Sequence, residues 1–193
     1  LLGDPRLYER CSPILPEEQP LVAGWVAELH DVMQAVRARY GFGRGIAAPQ
    51  LGIMKRLIYM NIDGQATVFV NPELHDLSTD MMELWDDCMC FPNLLVRVQR
   101  HQSLTIRYLD EHWQPQSQHL SGALSELLQH EYDHLEGILC TMRAIDEKAF
   151  KWRLKKKKNL FPRRKAPNRP RFSRRCGLRC LLSHTRGIQC AEG

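Results

Sequence analysis

Two histidines four residues apart, with a glutamate beside the first, carry the clearest chemistry in this chain. In Gln129-His130-Glu131-Tyr132-Asp133-His134 the H-E-x-x-H spacing puts both imidazoles on one face of a helix, where they can bind a single metal ion. Glu131, next to the first imidazole, can take a proton from a metal-bound water and later deliver it to a leaving nitrogen. The same spacing also suits a solvated helix face or a satisfied core pair, so the motif needs partners elsewhere. A catalytic metal takes about three protein ligands and keeps one position open. Cys88 is the best candidate for the third, because Trp85-Asp86-Asp87-Cys88-Met89-Cys90-Phe91-Pro92 falls between predicted strands, where a loop can carry a thiolate to the helix. The alternative is that Cys88 and Cys90, like Cys11 and Cys140, are small buried hydrophobes. A third segment, Gly43-Arg44-Gly45-Ile46-Ala47-Ala48-Pro49-Gln50-Leu51-Gly52, combines small residues that permit close backbone approach with the Gln50 amide, a donor able to hold a developing oxyanion. Its other reading is a tight turn. It is not a phosphate loop, since the Lys-Ser/Thr ending and the strand-loop-helix order are missing.

These residues must be positioned by ordinary elements. Leu21, Val22, Trp25, Val26, Leu29, Val32, Met33, Val36 and Tyr40 recur at helical spacing and stop at Gly41, which predicts an amphipathic helix over 21–40. Residues 56–61 (RLIYMN) and 67–71 (TVFVN) are β-rich runs around Asp63-Gly64, a turn dipeptide, and read as paired strands. Residues 94–100 and 104–110 repeat the alternation. A second helix is expected from about Gly122 to Glu136, with Gly137 at its stop, and a short third one from Asp146. Strands and helices without regular βαβ alternation indicate an α+β fold, with mixed or antiparallel sheets around a central helix carrying HExxH.

Taken in chain order, the three chemical segments resemble the peptide deformylases, whose motifs are G-x-G-x-A-A-x-Q, E-G-C-L-S and Q-H-E-x-D-H. The first matches at Gly43, Gly45, Ala47, Ala48 and Gln50, and the third at Gln129, His130, Glu131, Asp133 and His134. The resemblance covers residues 1 to about 148, starting with Gly3-Asp4-Pro5. It implies a metal held by Cys88, His130 and His134, with Glu131 as general base and acid. It also implies an oxyanion site made by the Gln50 side chain and the Met89 backbone N–H, and a bound peptide lying along Gly45 and Ile46. The implied substrate is an N-formylmethionyl peptide emerging from the ribosome. The implied ion is Fe2+ in many members and Zn2+ in others, and the implied location is the cytoplasm, or an organelle in a eukaryote.

The middle motif departs from the family pattern. Asp86-Asp87-Cys88-Met89-Cys90 keeps the ligand and an apolar neighbour but replaces glycine with Asp87. A left-handed backbone there would strain an aspartate, and a carboxylate near the site would alter cation affinity or substrate fit. Cys90 adds a thiol two residues from the ligand. A second reading is therefore a catalytically impaired, deformylase-like binding protein associated with the ribosome. A zincin protease shares H-E-x-x-H, but no suitable downstream ligand is evident.

Composition bounds the rest. The 193 residues, 44% hydrophobic, suit one globular domain with an appendage. No stretch approaches the roughly 18 apolar residues of a membrane span, and Leu1 to Arg10 lack the order of a secretory signal, so a soluble protein is expected. Seven cysteines do not make a dense paired framework, which points to a reducing compartment. From Lys151 onward lie 15 of the 27 Lys and Arg and one of the 22 Asp and Glu, leaving a body near −9 and a tail near +14. Residues 1–150 are thus read as the domain and 151–193 as a basic, partly disordered tail, with RNA of the ribosome as an attractive contact. Cys176, Cys180, His184 and Cys190 fit no common zinc finger. Arg100, on a predicted strand, could pair with a carboxylate near the site, though a surface arginine is the commoner outcome, and Trp85 is expected as a packing or interface aromatic rather than a substrate platform.

Overall fold

The tertiary fold, from a computed structural model, describes residues 1–153. The first helix, α1 (Gln19–Tyr40), begins with Pro20 in its first turn, where the missing N–H has no intrahelical partner to lose. It stops at Gly41, whose φ of 77° only glycine adopts freely, and whose N–H returns to the Arg37 carbonyl at 2.9 Å. The helix buries Val22, Leu29 and Met33, while Leu21 and Val32, part of the predicted stripe, are exposed.

Among the described residues eight strands follow in two sheets: β1 (Gly45–Ala47), β2 (Leu57–Ile62), β3 (Gln65–His75), β4 (Met81–Asp87), β5 (Leu94–His101), β6 (Ser103–Leu109), β7 (Pro115–Ser121) and β8 (Phe150–Trp152). The larger sheet has the order β1-β2-β3-β6-β7 and the smaller β4-β5-β8, every pair antiparallel. Asp63 and Gly64 make the β2–β3 turn with φ of 51° and 84°, the doubly positive geometry that suits the twist of a two-residue hairpin. The near-continuous apolar run of β2 has a structural reason. Leu57 and Tyr59 pack with α1, and Ile58 and Met60 pack on the opposite face, so the sheet is covered on both sides.

The covering element on that opposite face is the second helix, α2 (Ala123–Leu135). Leu127, Leu128 and Leu135 join the sheet residues Ile58, Phe69 and Ile106 in one cluster. Polar residues of α2 are buried as well: Gln129, His130, Glu131, Asp133 and His134. Gln129 shows how such burial is tolerated. Its Oε1 accepts the His101 N–H and its Nε2 donates to the His101 carbonyl, both at 2.9 Å, tying the helix to the end of β5 as a strand would be tied.

The α+β class and the central HExxH helix are as the pattern indicated, with antiparallel pairing throughout the named strands. The helix expected from Asp146 is not formed. The Asp146 carboxylate instead accepts the Lys148 N–H at 2.8 Å in a turn, and the chain enters β8. Strands β1, β4, β7 and β8 escaped the sequence reading because they are short or mostly exposed edges with no clean alternation. The domain boundary drawn at 150 falls within β8, and residues 154–193, with the cysteines and histidine weighed as a zinc site, lie outside the described residues. Among the described residues no helix is long and apolar enough to cross a membrane.

Gly137 ends α2 at φ 72°, and a Cβ there would lie 2.6 Å from the Tyr8 carbonyl carbon and oxygen. Gly137→Ala should therefore destabilise the fold by about 2 kcal/mol or more, combining left-handed strain with a backbone clash. Urea unfolding of the two proteins checks this.

Candidate metal centre and active site

His130 and His134, one turn apart on α2, face the loop between β4 and β5 that carries Cys88. The Cys88 Sγ lies 3.3 Å from His134 Nε2, and the ligand atoms of Cys88, His130 and His134 all fall within 4.8 Å of one another. All three residues are buried. Donors so close, of types that suit a borderline divalent ion, fit a single tetrahedral metal.

The surroundings orient these donors. Asp86, at the end of β4, holds His130 Nδ1 at 2.9–3.0 Å, which directs the other ring nitrogen, Nε2, toward the cluster. Asp86 in turn accepts from Arg100 Nη2 at 2.9 Å, and the second Arg100 amino group pairs with Asp133 of α2. Arg143 closes the chain on Asp133 at 2.7 Å. Arg100 is 3% exposed. Of the two readings of Arg100, pairing with carboxylates holds over the commoner surface position, because two buried carboxylates on separate elements require a cation between them. The signal was present in the alternation of β5, where Val96, Val98 and Arg100 share the inward face.

Burial sets the proton affinities. It opposes a charge on His130, but the Asp86 carboxylate outweighs it and raises this imidazole to about 9. Asp86 is itself held at about 2, since His130 and Arg100 overcome its own desolvation. His134, buried and beside His130, is pushed well below the usual imidazole range. Burial drives the Cys88 thiol up, whereas hydrogen bonding to Cys88 brings Cys90 down to about 7 despite its burial. A cation at the cluster would supply the charge that the Cys88 thiolate needs.

Glu131 points into the same space. It is buried, its Oε2 has no hydrogen-bond partner, and burial raises its carboxyl to about 7. Gly45 makes room for it: a Cβ at that position would stand 2.8 Å from Glu131 Oε1. Gln50 sits on the short 3-10 turn after β1 (Ala48–Leu51). Its Oε1 accepts the Ala47 N–H at 2.8 Å, which aims Nε2 at Cys90 Sγ and Cys88 Sγ, 3.5 and 3.8 Å away.

A cleft of about 350 Å³ opens onto this centre. Phe42, Gly43, Arg44, Gly45 and Gln50 line it from the β1 side, Leu84 to Asp87 and Met89 from the β4 side, and Glu126, Leu127, His130 and Glu131 from α2. Both β1 and β4 are edge strands of their sheets, so each presents backbone groups able to pair with an extended peptide. Of the residues singled out in the sequence, Gln50, Gly45, Met89, His130 and Glu131 line the cleft. Cys88 is sealed behind it, and the Ile46 side chain is buried against the α1 cluster while its backbone belongs to edge strand β1.

Asp87 carries none of the backbone strain considered for it. Among the described residues, those other than glycine with positive φ are Asp63, Asn71, Asp76 and Trp113. Its carboxylate pairs with Arg153, so its charge is compensated. Trp85 lines the cleft rather than packing inside a core. Sequence reasoning missed this wall because β4 was not recognised as a strand.

A buried thiol and two imidazoles around one position, beside an unpaired glutamate and at the base of a cleft, define a metal-dependent hydrolase class of centre. Comparison with known proteins is specific. Residues 1–150 match the family model described as polypeptide deformylase. The peptide deformylase of Treponema pallidum (strain Nichols) is 32% identical over 147 residues, 76% of this chain and 86% of that protein. The peptide deformylase of Pseudothermotoga lettingae is 32% identical over 139 residues, 72% of this chain and 77% of that protein. Among solved structures, peptide deformylase from Thermotoga maritima superposes with a TM-score of 0.68 at 26% identity, covering 76% of this chain and 95% of that one. Peptide deformylase 1B of Arabidopsis thaliana gives 0.67 at 31% identity, covering 75% and 80%. The chain belongs to the peptide deformylase family, and its activity is that family's metal-dependent hydrolysis.

If Asp86 orients His130, Asp86→Asn should weaken metal retention roughly 10- to 100-fold. Competition with a chelator, followed by metal analysis, reads this directly.

Proposed function

We propose that this chain removes the formyl group from N-formylmethionyl peptides at a centre where Cys88, His130 and His134 hold one divalent ion. The observation that carries the reading is the approach of those three donors within 4.8 Å, beside a buried glutamate with an unpartnered oxygen. When bound, the ion lowers the pKa of its water toward neutrality and polarises the formyl oxygen. Glu131, raised to about 7 by burial, takes the proton of the attacking water and passes it to the methionine nitrogen as the C–N bond breaks. Formate and a free amine result.

The Gln50 side-chain amide and the Met89 backbone N–H hold the developing oxyanion, a role supported by the Ala47 hydrogen bond that fixes the Gln50 rotamer. The backbone of Gly45 and Ile46, on an edge strand, holds the peptide extended. Leu84 and Leu127 give the methionine side chain an apolar wall. The Cys/His/His donor set suits both Fe2+ and Zn2+, and the family resemblance favours Fe2+. No observation favours an impaired scaffold, since Asp87 is neither strained nor uncompensated.

We place the catalytic domain within residues 1 to about 150, closed by β8, and assign the basic segment after it to ribosomal RNA, supported by its charge. That assignment, with nascent formylated chains as substrate, puts the protein in the cytoplasm or, in a eukaryote, an organelle.

Anaerobically iron-loaded protein should release formate from formyl-Met-Ala-Ser. Glu131→Gln should keep stoichiometric metal yet lose roughly 10²–10⁴ in rate, whereas Cys88→Ala should lose metal. Near-normal turnover of the first, or full metal in the second, would reassign the role. Deleting 154–193 should flatten the salt dependence of ribosome binding, with an unchanged slope removing the RNA contact.

A further inference from the structure

One residue touches both walls of the cleft without holding metal or lining the cavity. Side chains two apart on a strand share a face, so Lys151 of β8 and Arg153, just beyond its end, project together. The register Asp87↔Leu95↔Lys151 puts β8 one strand from β4, within reach of long cationic side chains. Lys151 Nζ lies 3.5 Å from the centroid of the Trp85 ring, and the Arg153 guanidinium pairs with Asp87. Two cations thus span β5 and cover Trp85 and Asp87, alternate residues of β4 that line the cleft.

Arg153 reaches further. Its Cζ stands 4.2 Å from the centroid of the Phe42 ring, which lies on the opposite wall, and its backbone N–H donates to the Asn93 carbonyl at 2.7 Å. Phe42 is held from the other direction, because the carbonyl of the next residue, Gly43, accepts from Arg37 Nε at 2.6 Å. The loop before β1 is therefore fixed to α1 on one side and to the β4 edge, through Arg153, on the other. Neither sheet supplies that second link, since β1 and β4 belong to different sheets and do not pair. An ion pair combined with a guanidinium on an aromatic face suits such a link, because it sets a separation without filling the gap.

We propose that Arg153 is a positioning residue for peptide substrates, a staple between Phe42 and Asp87 that fixes the width of the cleft between the two edge strands. It acts through these two residues and not on the reacting atoms. Substrates long enough to contact both walls depend on it, and a single formylated amino acid does not. The inference rests on the deformylase reading, so its test includes a measurement that needs no turnover.

Full-length, iron-loaded wild type, R153A and R153K are compared on formyl-methionine and formyl-Met-Ala-Ser, with calorimetric binding of the unformylated peptide Met-Ala-Ser alongside. In R153A the KM for the formylated tripeptide should rise roughly 5- to 20-fold while kcat stays within about twofold, and the KM for formyl-methionine should hold. Affinity for Met-Ala-Ser should fall by the same factor, and R153K, which keeps a cation, should recover most of it. Equal effects on both substrates, a fall in kcat alone, or unchanged tripeptide binding would overturn the proposal. R153M, which keeps the aliphatic stem, takes the place of R153A if that variant does not fold. Absence of formate from the wild type would instead overturn the deformylase reading, and the calorimetry would still decide the role of Arg153.

Discussion

The structure depends on a buried hydrogen-bonded chain, His130–Asp86–Arg100–Asp133, that joins three elements: α2, the end of β4, and β5. Its ions, Asp86, Arg100 and Asp133, would each cost several kcal/mol to bury alone, and removing one partner from such a set typically costs about 3–5 kcal/mol because another is left uncompensated. Burying these groups together makes the docking of α2 against the smaller sheet nearly all-or-none. Once docked, His130 has one orientation. Hydrophobic contacts would hold the same helix in place but would not choose which imidazole nitrogen faces the metal position.

A second constraint follows from having two sheets rather than one. The cleft is bounded by the edges β1 and β4. Unpaired strand edges are ordinarily a liability for aggregation, and here they lie across a gap with the candidate metal ligands at its base. Small residues keep that gap usable: Gly45 leaves space for the Glu131 carboxylate, and Gly43 leaves space for Met89. The first motif reads as a turn in sequence, yet its glycines are needed where side chains of other elements arrive, and only Gly43 of the two has a positive φ.

How far the sequence was legible varies with the kind of signal. Helix α2 and its H-E-x-x-H pair were readable because helical periodicity and metal-ligand spacing are local properties of one segment. The hairpin at Asp63-Gly64 was readable for the same reason. Strand β4 was not, since Met81 to Asp87 mixes apolar and acidic residues and becomes a strand by pairing with β5. For Arg100 the sequence favours the surface over a carboxylate pairing, because an isolated arginine is usually solvated and its two carboxylate partners lie 14 and 33 residues away. Trp85 and Arg153 belong to the same blind spot, as both take their meaning from β4 being the wall of a cleft.

By itself, then, the order of residues determined the donor types, their grouping into three segments, and the helices and hairpin, all of which follow from side-chain chemistry and local backbone preference. Only the tertiary structure decided that a cysteine 42 positions from His130 comes within 4.8 Å of both imidazoles, that Asp86 and Arg100 are buried beside them, and that Asp87 turns to Arg153. The physical reason is that these are long-range pairings whose energy appears only when desolvated groups meet. No local pattern carries it.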